Sequence, residues 1–358
     1  MSAKRLKVAI ICGGRSSEHE ISCISAQGVI SAIDQSIYQP ILIGISKLGQ
    51  WRLLKDVTDF GVGDDGLPCV ENAAGNLRFD RQGIWNVDGL NLEIDIAFPL
   101  LHGAYGEDGT IQGLFEMSGI PYVGSGVLAS AVAMDKTFAK PIYVDFGLKV
   151  ADGITVHERD WLANQAMEMA KITALGMPIF IKPARSGSSR GTTKVKRSED
   201  ISKAIAEAHR YDPKAMVEIA VVGREVECAV LEIEGKPHAS IVGEIRVHEP
   251  HEFYDFEAKY LDGSTSFDIP ANISKELSDA IRDAAVTAFM ALGCEGLARV
   301  DFFLTPNNEL IINELNTMPG FTPRSVFPML WEATGKSYQE LITELCRSAE
   351  GRSQNVIR

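Results

Sequence analysis

The chain lacks the features that would send it to nucleic acid or to a membrane. Its 358 residues carry a formal net charge of −13, whereas phosphate contacts need clustered Lys and Arg that outnumber nearby acids. The same balance works against an anionic membrane surface. No run approaches the roughly 20 apolar residues of a membrane span. The apolar run Val8–Cys12, behind Lys4, Arg5 and Lys7, is too short for a signal-peptide core. Six scattered cysteines (Cys12, Cys23, Cys69, Cys228, Cys294, Cys346) show no CxxC spacing. In a chain this long they read as reduced thiols in a cytoplasmic protein. There is no GxxxxGK[ST] loop, no GxGxxG fingerprint and no internal repeat. What remains is a soluble protein that handles small molecules. Its length implies two or three domains, and whether it forms a homodimer is left open.

The first third reads as an α/β unit. Leu6–Cys12 is a strand-like apolar run, Gly13-Gly14 a turn, and a helix opens at Ser17. Pro40–Ser46 and Ile94–Leu101 are further strands, and strands alternating with helices predict a doubly wound parallel sheet with ligand loops at its C-terminal edge. The stretch 51–90 gives no clear pattern. Ser125–Gly147 reads as a helical connector, with Pro141 predicting a break. Strands then follow at Pro178–Lys182, Thr192–Lys196, Met216–Ile219 and Glu225–Ile233, with a helix from Ser198. A polar and aromatic loop, His248–Pro270, is long enough to be a lid. The helix Ser274–Leu292, the hairpin Leu297–Leu315 and the helix Ser337–Arg347 complete the chain. The domains expected are 1–125, 126–219 and 220–358.

The hairpin gives the sharpest local geometry. Asn307-Asn308 suits a two-residue turn, which sets Pro306 opposite Glu309, Asp301 opposite Glu314 and Arg299 opposite Asn316. Alternation then gathers Arg299, Asp301, Glu314 and Asn316 on one face. Facing residues have Cβ atoms roughly 5 Å apart, so the two carboxylates need a proton or a cation between them. One reading is a Mg²⁺ site with Arg299 beside it to neutralise developing charge; the other is a solvated acidic face. The tight turn Thr317-Met318-Pro319-Gly320 that follows favours the metal.

Ala184–Gly191 is a Gly/Ser loop between two strands, behind Lys182. It is either a phosphate cradle or a flexible connector. Gly13-Gly14-Arg15-Ser16-Ser17-Glu18 joins a strand to a helix and suits an anion or a small zwitterion. Glu18 is there either a helix-stabilising charge or a ligand for an amine. His102 ends a buried strand at the edge where ligands bind, Lys136 is a lone helical lysine, and the cluster His248–Glu252 lacks zinc spacing.

Taken together, these segments resemble the D-alanine–D-alanine ligases. The resemblance rests on Gly13-Gly14-x-Ser16-x-Glu18, His102-Gly103-x-x-Gly106-Glu107-Asp108-Gly109, Met134-Asp135-Lys136 and Lys182-Pro183-x-x-x-Gly187-Ser188-Ser189-x-Gly191. Further along come Glu252-Phe253-Tyr254-Asp255-x-x-x-Lys259-Tyr260, Arg299-Val300-Asp301 and Asn313-Glu314-x-Asn316-Thr317-x-Pro319-Gly320. It spans nearly the whole chain and implies an ATP-grasp fold, two α+β lobes clamping ATP, completed by the N-terminal doubly wound domain. It also implies ATP-dependent joining of two D-alanines through a D-alanyl phosphate for peptidoglycan synthesis. Rival products are D-alanyl-D-lactate and D-alanyl-D-serine, and another rival is a different carboxylate–amine ligation. By resemblance, Asp301, Glu314 and Asn316 would hold two Mg²⁺ ions, with Mn²⁺ able to substitute. Lys136, Lys182, Ser188, Glu218, Glu225, Lys259 and Asn313 would contact ATP. Glu18, His102, Ser188, Tyr260, Lys259, Arg299, Gly320 and Ser325 would bind or turn over the D-alanines. Arg190 departs from the family pattern, which has a small apolar residue there.

Overall fold

The structure is a computed structural model, and it describes residues 4–63, 66–80, 83–247 and 265–352. The N-terminal unit begins with β1 (Leu6–Gly13), α1 (His19–Ala32), β2 (Tyr38–Ile45) and β3 (Trp51–Leu53). The unpatterned stretch holds only short strands: β4 (Gly61–Val62), β5 (Pro68–Cys69), β6 (Leu77–Asp80) and β7 (Gly83–Asn86). β8 (Ile96–Pro99) and α2 (Thr110–Ser118) close the unit. Its main sheet has the order β3-β2-β1-β8, with β1 parallel to both β2 and β8 and only the edge strand β3 antiparallel. β1 turns from one neighbour to the other, so its C-terminal end and that of β8 open a crevice at the switch point. Glu18 and His102 lie in the loops there.

Two short helices follow, α3 (Val127–Met134) and α4 (Lys136–Asp145). The expected break falls at Asp135 rather than at Pro141. Asp135 is extended, and its side chain caps α4 by accepting from the Thr137 N–H. Pro141 sits within α4, where its missing N–H deprives only the first-turn carbonyl of Thr137 of a partner.

The central unit comprises β9 (Gly153–His157), α5 (Glu158–Ala163), α6 (Gln165–Ala174), β10 (Ile179–Pro183), β11 (Thr193–Val195), α7 (Ile201–His209) and β12 (Lys214–Ile219). Its antiparallel sheet runs β11-β10-β12-β9. The third unit holds β13 (Arg224–Ile233), β14 (Lys236–Val247), β15 (Thr265–Asp268), α8 (Lys275–Ala291), β16 (Leu297–Leu304) and β17 (Leu310–Asn316). The helices α9 (Val326–Ala333) and α10 (Tyr338–Glu350) complete it. Its sheet order is β15-β14-β13-β16-β17. β15 falls inside the stretch expected to be all loop. The rest of that stretch, including Lys259 and Tyr260, lies outside the described residues.

The apolar side chains sort these elements differently from their order in the chain. One core joins Val8, Ile10, Phe98 and Leu100 of the first sheet to Leu231, Leu297, Phe321, Phe327 and Leu345 of the third unit. A second core joins Ala139 and Tyr143 of α4 to Ile281, Phe289, Val300 and Phe302. Thus α3 and α4, expected within 126–219, bury their apolar faces on the third unit. The central lobe has its own core, drawn only from residues between Ile154 and Val217.

Candidate active site

A cavity of about 340 Å³ lies between the central sheet and the third sheet. One end is apolar, walled by Phe180, Ala220, Val221 and Phe302, with Glu225 nearby. At the other end charges converge: Lys136, Lys182, Glu218, Asp301, Asn313 and Glu314.

The hairpin supplies the acidic side. Asp301 pairs with Glu314 and Arg299 with Asn316, as the sequence predicts. The route to that register differs, however. The Thr305 N–H donates to the Glu309 carbonyl at 2.9 Å and the Glu309 N–H to Thr305 Oγ1 at 3.0 Å, around the three-residue loop Pro306-Asn307-Asn308, whose last residue has φ +60°. This shifts the outer half of the hairpin by one, so Leu304 faces Leu310. A bulge at Asn313, between the Phe302–Ile312 and Asp301–Glu314 pairs, restores the offset. Such a bulge re-aims a side chain. Here Asn313 is turned toward the cleft, where its Oδ1 accepts from Lys182 Nζ at 3.3 Å.

The facing carboxylates each carry a protein cation. Arg299 donates from Nε and Nη2 to the two Asp301 oxygens, both at 2.7 Å. Lys136 Nζ lies 3.0 Å from Glu314 Oε2. Asn316 Nδ2 donates to Asp301 at 3.0 Å. Glu227, which the sequence reading passed over, pairs in register with Asp301 across β13 and β16, and its Oε2 lies 3.0 Å from Arg299 Nε. Its position one strand further from Glu314 could have been found only by knowing that β13 neighbours β16.

On the opposite wall, the buried Glu218 carboxylate bridges Lys140 and Lys182. Burial alone would raise its pKa, but the two ammonium groups outweigh burial and hold it at about 2. Burial, opposed by Glu218, holds Lys140 below the ordinary lysine range. For Lys136, burial is outweighed by Glu314, and its pKa is raised. Lys140 was legible only as one lysine of a connector, because its partner lies 78 residues away.

The Gly/Ser loop closes over this end. Ser188 and Ser189 both take left-handed backbone conformations, φ +50° and +55°, at a cost of order 1–3 kcal/mol each. Lys136 Nζ donates to the Ser186 carbonyl at 3.0 Å. Ser188 Oγ donates to Glu18 Oε1 at 2.5 Å, joining loop and N-terminal crevice. Gly103 also belongs to this junction: a Cβ there would stand 2.9 Å from Glu18 Oε2, and its φ is +73°.

His102 is buried, with Nδ1 3.0 Å from the Met318 carbonyl and Nε2 3.2 Å from Ser25 Oγ. Both ring nitrogens are therefore engaged by the protein. Burial, opposed by Glu18, lowers its pKa. Ser325 stands before α9, its Oγ accepting from the Thr322 N–H at 3.0 Å. A Cβ at Gly320 would lie 3.1 Å from that Oγ, so the glycine and the serine are neighbours.

Two α+β lobes gripping a charged cleft, with an α/β domain across one end, define an ATP-grasp architecture. Models of the D-ala D-ala ligase N-terminus and C-terminus match residues 7–125 and 142–347. The chain belongs to the D-alanine–D-alanine ligase family. It is 45% identical to the D-alanine–D-alanine ligase of Streptomyces avermitilis, across 98% of this chain and 95% of the relative. With that of an Arthrobacter species the identity is 47%, across 97% and 94%. Among solved structures, the VanG D-Ala:D-Ser ligase of Enterococcus faecalis superposes with a TM-score of 0.83 at 35% identity, covering 97% of this chain and 100% of that one. The D-alanine–D-alanine ligase from Coxiella burnetii gives 0.82 at 34% identity, covering 97% and 94%.

Proposed function

We propose that the chain joins two D-alanines to D-alanyl-D-alanine, consuming one ATP, to supply a peptidoglycan precursor. The observation that carries this reading is the row Arg299, Asp301, Glu314 and Asn316, whose two carboxylates line one cleft with Lys136, Lys182 and Glu218. Hard oxygen donors beside buried ammonium groups suit a metal-bound polyphosphate. Two carboxylates and an amide oxygen fit Mg²⁺, which binds few protein oxygens and keeps its remaining positions for phosphate and water. Asp301, Glu314 and Asn316 would hold two such ions, which would neutralise charge on the transferring phosphoryl group. Mn²⁺, with the same charge and oxygen preference, would be able to replace Mg²⁺.

The protein's own groups do the rest. Lys136 and Lys182 exchange their carboxylate partners for phosphate oxygens, and the Ser188 loop covers them. Glu18, with Ser188, receives the ammonium of the first D-alanine and aims its carboxylate at the γ-phosphorus. A carboxylate oxygen bonds to phosphorus, the bond to ADP breaks, and an acyl phosphate forms; alignment and charge neutralisation govern this transfer. The neutral amine of the second D-alanine then attacks the acyl carbon. Arg299 and the Gly320 N–H steady the oxyanion, the C–O bond to phosphate breaks, and the amine's remaining proton leaves to solvent. Lys259 and Ser325 hold the second carboxylate. By the family resemblance, Tyr260 would favour an amine acceptor over D-lactate.

The test is phosphate release from ATP with and without D-alanine, in wild type and Glu314→Gln. Wild type should release phosphate only with D-alanine, and the folded variant should lose that release by roughly 100-fold or more, as when a charge-stabilising group is removed. Near-normal turnover in Glu314→Gln would return the acidic row to a solvated face.

A further inference from the structure

The turn Thr317–Gly320 lies between the end of β17 and α9, and the N-terminal domain holds it by one residue. Both backbone polar groups of Met318 are taken by a single loop across the domain boundary. Its N–H donates to Glu107 Oε1 at 3.2 Å, and its carbonyl faces His102 Nδ1 at 3.0 Å. A carbonyl only accepts, so Nδ1 carries the proton and Nε2 accepts from the Ser25 hydroxyl. Glu107 is fixed in turn by the Gly103 N–H, which donates to Oε2 at 2.7 Å. Met318 is 4% exposed, so water does not compete freely for these groups, and an unmade buried bond is costly.

Met318 stands two residues after Asn316 and two before Gly320. From this geometry we infer that Glu107 is a positioning residue. Together with His102 it sets the Met318 peptide, and through it the reach of Asn316 and the direction of the Gly320 N–H. Glu107 need touch no reacting atom. Burial first, and the charge of Glu18 second, push its carboxyl up to about 8. The Gly103 and Met318 N–H donors work against that rise. This inference rests on the ligase reading for its kinetic consequence but not for its structural one.

The test therefore has two arms, on the full chain as wild type, Glu107→Gln and Glu107→Ala. With ¹³C-methyl-labelled methionine, the Met318 signal should shift in Glu107→Ala and less in Glu107→Gln, whose amide oxygen still accepts one N–H. The Met167 and Met290 signals should stay put. In the kinetic arm, Glu107→Ala should lower kcat about 5-fold, the equivalent of one ordinary hydrogen bond. KM for ATP should stay near the wild-type value, and Glu107→Gln should fall between. An unmoved Met318 signal overturns the inference, even if wild type shows no D-alanine-dependent turnover and the ligase reading itself has failed. So does an unchanged kcat in an active enzyme, or a kcat loss matched by an equal rise in KM for ATP.

Discussion

Where the first sheet meets the third unit, Phe98 packs edge-on against Phe321, which also touches Phe327 and Tyr338. Where the central lobe meets that same body, polar contacts join the two, among them Ser188 to Glu18, Lys136 to Ser186, Lys182 to Asn313, Lys140 to Glu218 and Lys214 to Asp135. Burial of apolar surface is non-directional, so a bound polyphosphate offers nothing to replace the first boundary's contacts. Ion pairs and hydrogen bonds can be exchanged for those of a polyphosphate. The boundary beside the cleft is therefore built of groups that a polyphosphate can replace, and the central lobe keeps a core of its own.

The largest effect is expected from breaking the polar boundary. Glu218→Gln leaves Lys140 and Lys182 buried without their shared carboxylate, a change worth about 3–5 kcal/mol when a buried pair loses one partner. ATP-dependent turnover should vanish, and hydrogen exchange should rise in β10 and β12 more than in β1. The pH sign follows from the pKa of Glu218, which lies at about 2 against an ordinary 4.5. Its contribution is complete above 4.5 and lost as pH falls toward 2. The gap in melting midpoint between wild type and Glu218→Gln should therefore narrow over that window. A gap that widens would contradict the assignment.

Phe321→Ala attacks the apolar boundary instead. Truncating a fully buried phenylalanine costs about 3–5 kcal/mol. The first and third units should lose stability together, while the central lobe holds its own exchange rates. Selective loss in the central lobe would show that the cores are not divided in this way.

Ser188→Ala is expected to do least to stability. It removes the part-buried hydrogen bond to the Glu18 carboxylate, roughly 1 kcal/mol, and leaves the apolar cores intact. Its mark should be a raised KM for D-alanine. A melting midpoint as low as that of Phe321→Ala would mean that the loop supports the fold rather than the site.

How much of this was legible varies with the range of the signal. The α/β alternation, the hairpin and its acidic row follow from periods of two within one segment. Even there the match at Asp301–Glu314 came from two departures that cancel, a three-residue turn and the Asn313 bulge. Neither has a sequence mark, since Asn-Asn serves either turn. The pairing of Glu218 with Lys140, of Glu227 with Arg299 and of Met318 with His102 and Glu107 depends on which elements become neighbours. No local pattern carries that information. Glu18 and Ser188, 170 residues apart, were joined only through resemblance to a family.

The most direct test of the ligase account is the identity of the product. Wild-type protein would be given ATP, Mg²⁺ and equal concentrations of D-alanine, D-serine and D-lactate at pH 7, and the products separated by mass. The account predicts that D-alanyl-D-alanine dominates, with one phosphate released per dipeptide. A mixture dominated by D-alanyl-D-serine or by the D-lactate ester, or phosphate release without any dipeptide, would contradict it.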